Sequence, residues 1–206
     1  STSFVKSLEQ GAKNLLPTGD TETISNSRTE PYTPFNPPKV VSNKRLPAAT
    51  TGSNSGSSSD IPNNIIPDTL VIPSIGVNTV VRNPTSTNVD DLDQELTKGT
   101  VRYPGSGTIG HGNMFIFGHS TGYKVVINKA YKVFNELKNL TKGNEILLQS
   151  GSKTYVYVVT SVQKVNKDTT EIIFNAQNSM LTLATCDSFG SKSDRYVVEA
   201  VFKGER

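Results

Sequence analysis

The chain has 206 residues, of which 34% are hydrophobic, and its formal net charge is +3. One cysteine and two histidines exclude an internal disulfide framework and a zinc site that needs several thiolates, and we expect no metal and no cofactor. The basic residues are scattered, with no run interleaved with aromatics, so we expect no nucleic-acid partner.

The first 60 residues differ in composition from the rest. They are rich in Ser, Thr, Asn and Pro and end in "TGSNSGSSSD". So few apolar side chains cannot offset the entropy lost on ordering the backbone. The sequence therefore predicts a disordered, flexible tether over residues 1–60 and a globular domain over residues 61–206.

From residue 61 onwards the sequence predicts short strands separated by turns. "DTLVIPSIGVNTVVR" (68–82) holds two β-rich runs, "GNMFIFGHS" (112–120) is one strand, and residues 144–165 form a hairpin turning at "SGSK". "SMLTLATC" and "DRYVVEAVF" are the last two strands. Short helices are predicted in "NVDDLDQELTKG" (88–99), with Gly99 as C-cap, and around Phe134 and Leu137. Such spacing predicts a mainly β fold, either a barrel or a sandwich, with one or two short helices.

The only cysteine, Cys186, ends one of the predicted strands. Strand alternation places it on one face with Thr182 and Ala184, while Thr185 lies on the other face. A buried filler would more naturally sit in the middle of the strand. At a strand end beside a polar loop, we expect Cys186 to be exposed enough to react as a nucleophile.

A cysteine nucleophile needs a base and a group that stabilises negative charge. His119 ends a strand, which suits precise proton transfer, whereas His111 lies in the glycine-rich "TIGHGN" loop, so His119 is the favoured base. Arg195 opens the strand after Cys186 and should lie close to it, where its guanidinium could bind an oxyanion; a surface ion pair is the alternative. Asp187 should point away from Cys186 and is not expected to complete a triad.

These residues resemble those of sortases, the cysteine transpeptidases of mainly Gram-positive bacterial surfaces. "TLATC" (182–186) is similar to the sortase Thr-Leu-X-Thr-Cys signature, the arginine follows nine residues later, and "NMFIFGHS" looks like the strand that ends in Gly-His. "LVIPSIGVNTVV", "GTVRYPGSGTIGHGN" and "VFNELKNLTKGNEI" follow in sortase order, so the likeness covers roughly residues 65–202.

The resemblance implies an eight-stranded sortase-type β-barrel with Cys186 as nucleophile, His119 as general acid and base, and Arg195 as oxyanion stabiliser. It also implies that Thr185 contacts the substrate. The implied reaction cleaves a Leu-Pro-X-Thr-Gly-like sorting signal through a thioester. The implied partners are surface proteins that bear this signal and an amine of peptidoglycan or pilin. We expect the full-length chain to be membrane-anchored, outside the cell.

Departures from sortase classes A, B and C favour a class D or E-like assignment. The chain has no clustered acidic residues resembling a class A calcium site and no Asp-Pro-aromatic motif in its N-terminal segment. Two alternatives to the transpeptidase are kept: a thiol hydrolase that transfers the acyl group to water, and a catalytically silent β-barrel used for binding.

Overall fold

In the computed structural model, residues 61–166, 178–187 and 194–206 are described, together with the backbone of 39–41 and 171–173. The strands in these ranges are β1 (Lys39–Val41), β2 (Thr69–Ile72), β3 (Val77–Arg82), β4 (Thr100–Arg102), β5 (Asn113–Ser120), β6 (Glu145–Ser150), β7 (Lys153–Asn166), β8 (Glu171–Ile173), β9 (Met180–Asp187) and β10 (Asp194–Glu205). The α-helix described is α1 (Val89–Leu96), and short 3₁₀ turns span Pro73–Ile75, Lys129–Lys132 and Leu137–Asn139.

Eight of the strands close into a barrel. Their order around it is β10-β7-β6-β2-β3-β4-β5-β9, and β1 and β8 form a separate two-stranded parallel sheet. Most barrel neighbours are antiparallel, but β3 pairs with β4 and β5 pairs with β9 in parallel. The predicted eight-stranded, mainly β architecture is confirmed, and the strands and hairpin predicted from residue 68 onwards form close to their expected bounds.

The barrel interior is a continuous apolar core. Alternate residues of each strand point inwards, because successive side chains in a strand face opposite sides of the sheet. Fully buried side chains of this core include Leu70, Ile72, Met114, Ile116, Ile146, Leu148, Tyr157, Leu181 and Leu183. Each contributes about 1.5–3 kcal/mol by leaving water, so this core carries much of the folding free energy.

A second apolar cluster covers the outer face of β5 and β9. Helix α1 begins where the Asn88 side chain accepts a hydrogen bond from the backbone N–H of Asp90, 2.8 Å away, which satisfies one of the free donors of its first turn. Its buried face presents Leu92 and Leu96, one turn apart, to the strands. The cluster consists of Leu92, Leu96, Val101, Phe115, Phe117, Ala184 and Cys186.

Two details of the predicted helices are wrong. Helix α1 ends with Thr97 as its C-cap in right-handed conformation, so Gly99 does not serve as the cap. Gly99 is needed for another reason, since a Cβ there would lie 2.6 Å from the carbonyl oxygen of Val80. Around the buried residues Phe134 and Leu137 the chain forms 3₁₀ turns in place of a helix.

The first residues of the predicted domain are fastened to the barrel at one end. The backbone N–H of Ile109 donates to the carbonyl of Ile65 at 2.9 Å. The Nε2 atom of His111 lies 2.6 Å from the carbonyl oxygen of Ile61, to which it can donate. These two bonds hold residues 61–65 against the loop before β5, and we call this contact the clamp. Strand β1 lies inside the segment predicted to be a tether, and the rest of that segment falls outside the described residues.

Candidate active site

Strands β5 and β9 bring the candidate base and nucleophile together. Their parallel ladder runs from Asn113 opposite Met180 to Ser120 opposite Asp187, and His119 lies opposite Cys186 in it. Neighbouring strands lie about 4.8 Å apart, and residues paired in a parallel ladder point to the same side of the sheet. His119 and Cys186 therefore stand next to each other on the outer face of the barrel, at the C-terminal ends of both strands.

The neighbouring strand β10 brings Arg195 to the same place. Its antiparallel ladder with β9 includes Val197 opposite Ala184. If this register continued by two residues, back to Arg195 on β10 and on to Cys186 on β9, the two would lie opposite each other and on one face. His119, Cys186 and Arg195 therefore lie on three neighbouring strands of the barrel, β5, β9 and β10, and their catalytic roles stay a prediction.

Thr185 lies between these groups but on the opposite face. Its hydroxyl accepts a hydrogen bond from the backbone N–H of Tyr196 at 3.0 Å, and its side chain is buried. This bond ties β9 to the start of β10, one residue from Cys186 and one residue from Arg195. Thr185 thus has a clear part in positioning both, while its predicted contact with substrate stays a prediction.

The three aligned side chains are buried, which the sequence analysis did not expect for Cys186. The exposed fractions of His119, Cys186 and Arg195 are 2%, 3% and 7%. The strand-end position is as predicted. Cys186 belongs to the apolar cluster that also contains Leu92 and Leu96 of α1, and no local sequence pattern indicates that this helix packs near the cysteine strand.

The chain after β5 folds back onto His119. The ring of Tyr131 stacks on the imidazole, with centroids 5.0 Å apart and planes inclined by 29°. The backbone N–H of Phe134 donates to the His119 carbonyl at 3.0 Å. Burial in these surroundings lowers the pKa of His119 from 6.5 to about 4. The imidazole is therefore neutral at pH 7 and able to accept a proton.

Tyr131 is a neighbour of the candidate site that the sequence analysis missed. It lies in a 3₁₀ turn twelve residues after His119, where neither strand nor helix periodicity indicates a partner. A ring stacked on an imidazole restricts its orientation and keeps water from one of its faces. The contact forms because the chain after β5 folds back towards His119, which only the tertiary structure shows.

His111 is not part of this arrangement. It lies before the first residue of β5, whereas His119 lies near the last. The strand rises about 3.3 Å per residue, so the six steps from Asn113 to His119 alone span about 20 Å along the strand. The bond from His111 to the Ile61 carbonyl gives it a structural part in the clamp.

Two further properties concern the described part of the chain. There, no group of three or more His, Cys, Asp or Glu side chains is placed to hold a metal ion. None of the helices in the same residues has the length and apolar character needed to cross a membrane.

Comparison with known proteins identifies the family. The profile of the sortase domain matches residues 70–203, which is more than half of the chain. The chain belongs to the sortase family. Its curated relatives include sortase A of Bacillus anthracis, which is 30% identical over 114 residues, or 55% of this chain and 51% of the relative.

Solved sortases share the fold. The structure of Listeria monocytogenes sortase A aligns with a TM-score of 0.55 and 22% identity, covering 69% of this chain and 90% of that one. A Clostridium perfringens sortase D5 transpeptidase aligns with a TM-score of 0.53 and 23% identity, covering 70% of this chain and 83% of that one. At these identities the structural likeness shows a shared barrel fold and does not indicate which substrate is bound.

The sortase chain described here spans about half the length of the curated relatives it matches. Solved sortases with A, C and D designations align with TM-scores of 0.55, 0.51 and 0.53. These values are nearly equal, so the fold does not separate the classes, and the class D or E-like assignment stays a prediction.

Proposed function

We propose that this sortase is a cysteine transpeptidase in which Cys186 is the nucleophile, His119 the general acid and base, and Arg195 the oxyanion stabiliser. One observation carries the proposal. His119 and Cys186 are direct partners in the ladder between β5 and β9, and Arg195 lies on β10, the strand next to β9, whose register would bring it opposite the cysteine if continued by two residues. Three residue types that acyl transfer requires thus meet on one face, although they are distant in the sequence.

In the first half-reaction, the neutral imidazole of His119 takes the thiol proton of Cys186. The sulfur then attacks the carbonyl carbon of a threonyl residue in the substrate, and Arg195 donates hydrogen bonds to the oxygen on which negative charge develops. When the carbon–nitrogen bond breaks, protonated His119 gives its proton to the leaving amine. The acyl group stays on Cys186 as a thioester.

In the second half-reaction, a primary amine attacks the thioester carbonyl. The bond to sulfur breaks as the new amide bond forms, and the amine proton passes by way of His119 back to the thiolate. The same imidazole therefore serves both halves, and no further catalytic group is required. Amines attack thioesters more readily than water does, so an amine is the proposed acceptor.

The partners follow from the family. We propose surface proteins with a Leu-Pro-X-Thr-Gly-like signal as acyl donors, and an amine of peptidoglycan or pilin as acceptor. Both would be met at the outer face of the cell membrane, where we place this enzyme. A sortase C-1 of Actinomyces oris and a sortase C of Streptococcus pneumoniae, the latter described with pilin substrate specificity, are among the structural neighbours.

The test is product analysis with a small library of sorting-signal peptides, with and without a primary amine. We expect an adduct on Cys186 detected by intact mass when no amine is present, and an amide product when amine is added. Cys186→Ala should form neither. His119→Ala should be nearly inactive, whereas His111→Ala is the matched control and should keep turnover.

The alternatives give different results. A thiol hydrolase would release acid at one rate whatever amine is added, and would form no amide. A silent barrel would form no adduct with any peptide. If His111→Ala were inactive and His119→Ala active, the assignment of the base would be wrong.

A further inference from the structure

The chain leaving the active-site strand carries an unusual concentration of exposed apolar side chains. Tyr123, Val125 and Ile127 are 47%, 75% and 98% exposed. Only two other large hydrophobic residues in the described part of the chain are comparably exposed. Isolated exposed apolar side chains are normal on a protein surface, but three within five residues indicate a contact surface.

Hydrogen bonds hold this loop in shape. The side chain of Asn135 accepts from the backbone N–H of Thr121 at 2.8 Å and donates to its carbonyl at 3.0 Å. Near the far end, the amide of Asn128 donates to the carbonyl of Thr97 at 2.7 Å. Both ends of the loop are thus hydrogen-bonded to the rest of the protein, and Val125 and Ile127 lie between these ends with exposed side chains.

The same segment concentrates positive charge. Residues 121–132 include Lys124, Lys129 and Lys132 and contain no Asp or Glu. The other 18 Lys and Arg residues of the chain equal its 18 Asp and Glu residues, so these twelve residues account for the whole net charge of +3. The Nζ atom of Lys132 donates to the carbonyl of Lys124, which keeps two of the lysines close together.

This combination fits a lipid surface better than a protein partner. A stable protein interface buries about 800 Å² on each side, centred on a packed pocket, whereas here a few side chains project from a single loop. Aliphatic side chains with a tyrosine and flanking lysines are the composition of segments that lie at the level of lipid headgroups. Lysine stems extend along apolar surface while their ammonium groups reach anionic headgroups.

We propose that the surface formed by residues 121–132 docks on an anionic lipid bilayer, with Val125 and Ile127 inserted between headgroups and the lysines bound to phosphates. The consequence for catalysis rests on the proposed function. Tyr131, within this surface, stacks on His119. Docking would therefore hold the catalytic end of the barrel at the membrane, where membrane-bound substrates emerge.

The test is sedimentation of the chain with large unilamellar vesicles, made either of phosphatidylglycerol and phosphatidylcholine in equal parts or of phosphatidylcholine alone. We expect binding to the anionic vesicles that weakens in high salt, and much weaker binding to the neutral ones. The variant Ile127→Ser/Lys124→Gln should bind anionic vesicles about 50-fold more weakly, since loss of the apolar side chain accounts for about tenfold and loss of the charge for about fivefold.

The matched control is Ile66→Ser/Lys203→Gln, which also removes one exposed apolar side chain and one exposed lysine. These residues lie towards the end of the barrel opposite His119, so vesicle binding should stay within about twofold of the unchanged chain. Far-UV circular dichroism and the melting temperature should be unchanged for both variants, because all four side chains have exposed or half-exposed positions.

Equal binding of the test variant and the unchanged chain would overturn the proposal. So would absence of binding to anionic vesicles, or a concentration-dependent dimer that Ile127→Ser/Lys124→Gln abolishes, since the surface would then be a protein contact. Cys186→Ala should bind vesicles like the unchanged chain. Vesicle binding without any acyl-enzyme would reject the proposed function alone, and acyl transfer without vesicle binding would reject the docking surface alone.

Discussion

The buried histidine makes stability depend on pH in a way that can be measured. The pKa of His119 falls from 6.5 to about 4 because the imidazole is buried. Between these two pH values the unfolded chain binds a proton that the folded chain does not bind. Stability is therefore unaffected by this group above pH 6.5 and decreases as the pH falls towards 4. The loss is about 2 kcal/mol at pH 5 and about 3 kcal/mol at pH 4.

The variant His119→Asn removes the titrating group and should lack this loss. We expect the difference in free energy of unfolding between the unchanged chain and this variant to shrink by the amounts given above as the pH is lowered from 7. Carboxylates titrate in both proteins and cancel in the difference. The assay is urea unfolding followed by circular dichroism at several pH values. His111→Gln is the matched control, since it keeps His119 and should keep the pH-dependent loss.

A direct titration completes the experiment. The chain has two histidines, so the imidazole signals in nuclear magnetic resonance give two curves, and His111→Gln assigns them. We expect the His119 signal to titrate with a midpoint near 4. A midpoint above 6 for His119, or unfolding free energies that run parallel between pH 7 and 4.5 in the unchanged chain and His119→Asn, would refute the reasoning.

Further predictions concern the oxyanion group, the strand before the base and the N-terminal segment. Arg195→Lys keeps the charge but loses the planar fork, so we expect acyl transfer to fall by about 10²–10³-fold; near-native turnover would reduce Arg195 to a structural ion pair. Gly118→Ala would place a Cβ 2.8 Å from the ring of Phe134, and urea unfolding should show a loss of about 1–3 kcal/mol. Gly122→Ala, with nothing within 4 Å, is its control and should show no loss. Deleting residues 1–60 should leave the melting temperature unchanged, whereas deleting residues 1–66 removes the clamp and should lower it; equal melting temperatures would show that the clamp contributes nothing.

Much of the barrel could be predicted from local patterns. The alternation in "LTLATC" and "NMFIFGHS" determines which side chains share a face, because that depends only on strand geometry. The hairpin at "SGSK" follows from a turn between two β-rich runs. Strand-end positions and residue chemistry pointed to Cys186, His119 and Arg195, the family signature agreed, and these residues lie on adjacent strands of the barrel.

Other features depend on contacts between distant segments and carried no local signal. The sequence indicates that Leu92 and Leu96 share a helix face, but not that this face packs in one cluster with Cys186. The cysteine was expected to be exposed because it ends a strand beside a polar loop. The stacking of Tyr131 on His119 depends on the path of the chain after β5. Residues 129–132 and 137–139 form 3₁₀ turns on either side of Phe134, and Phe134 and Leu137 are buried in the core, a matter of tertiary packing. The register of β5 against β9 was decided in the same way, because pairing of parallel strands is selected by burial of whole faces and not by neighbouring residues.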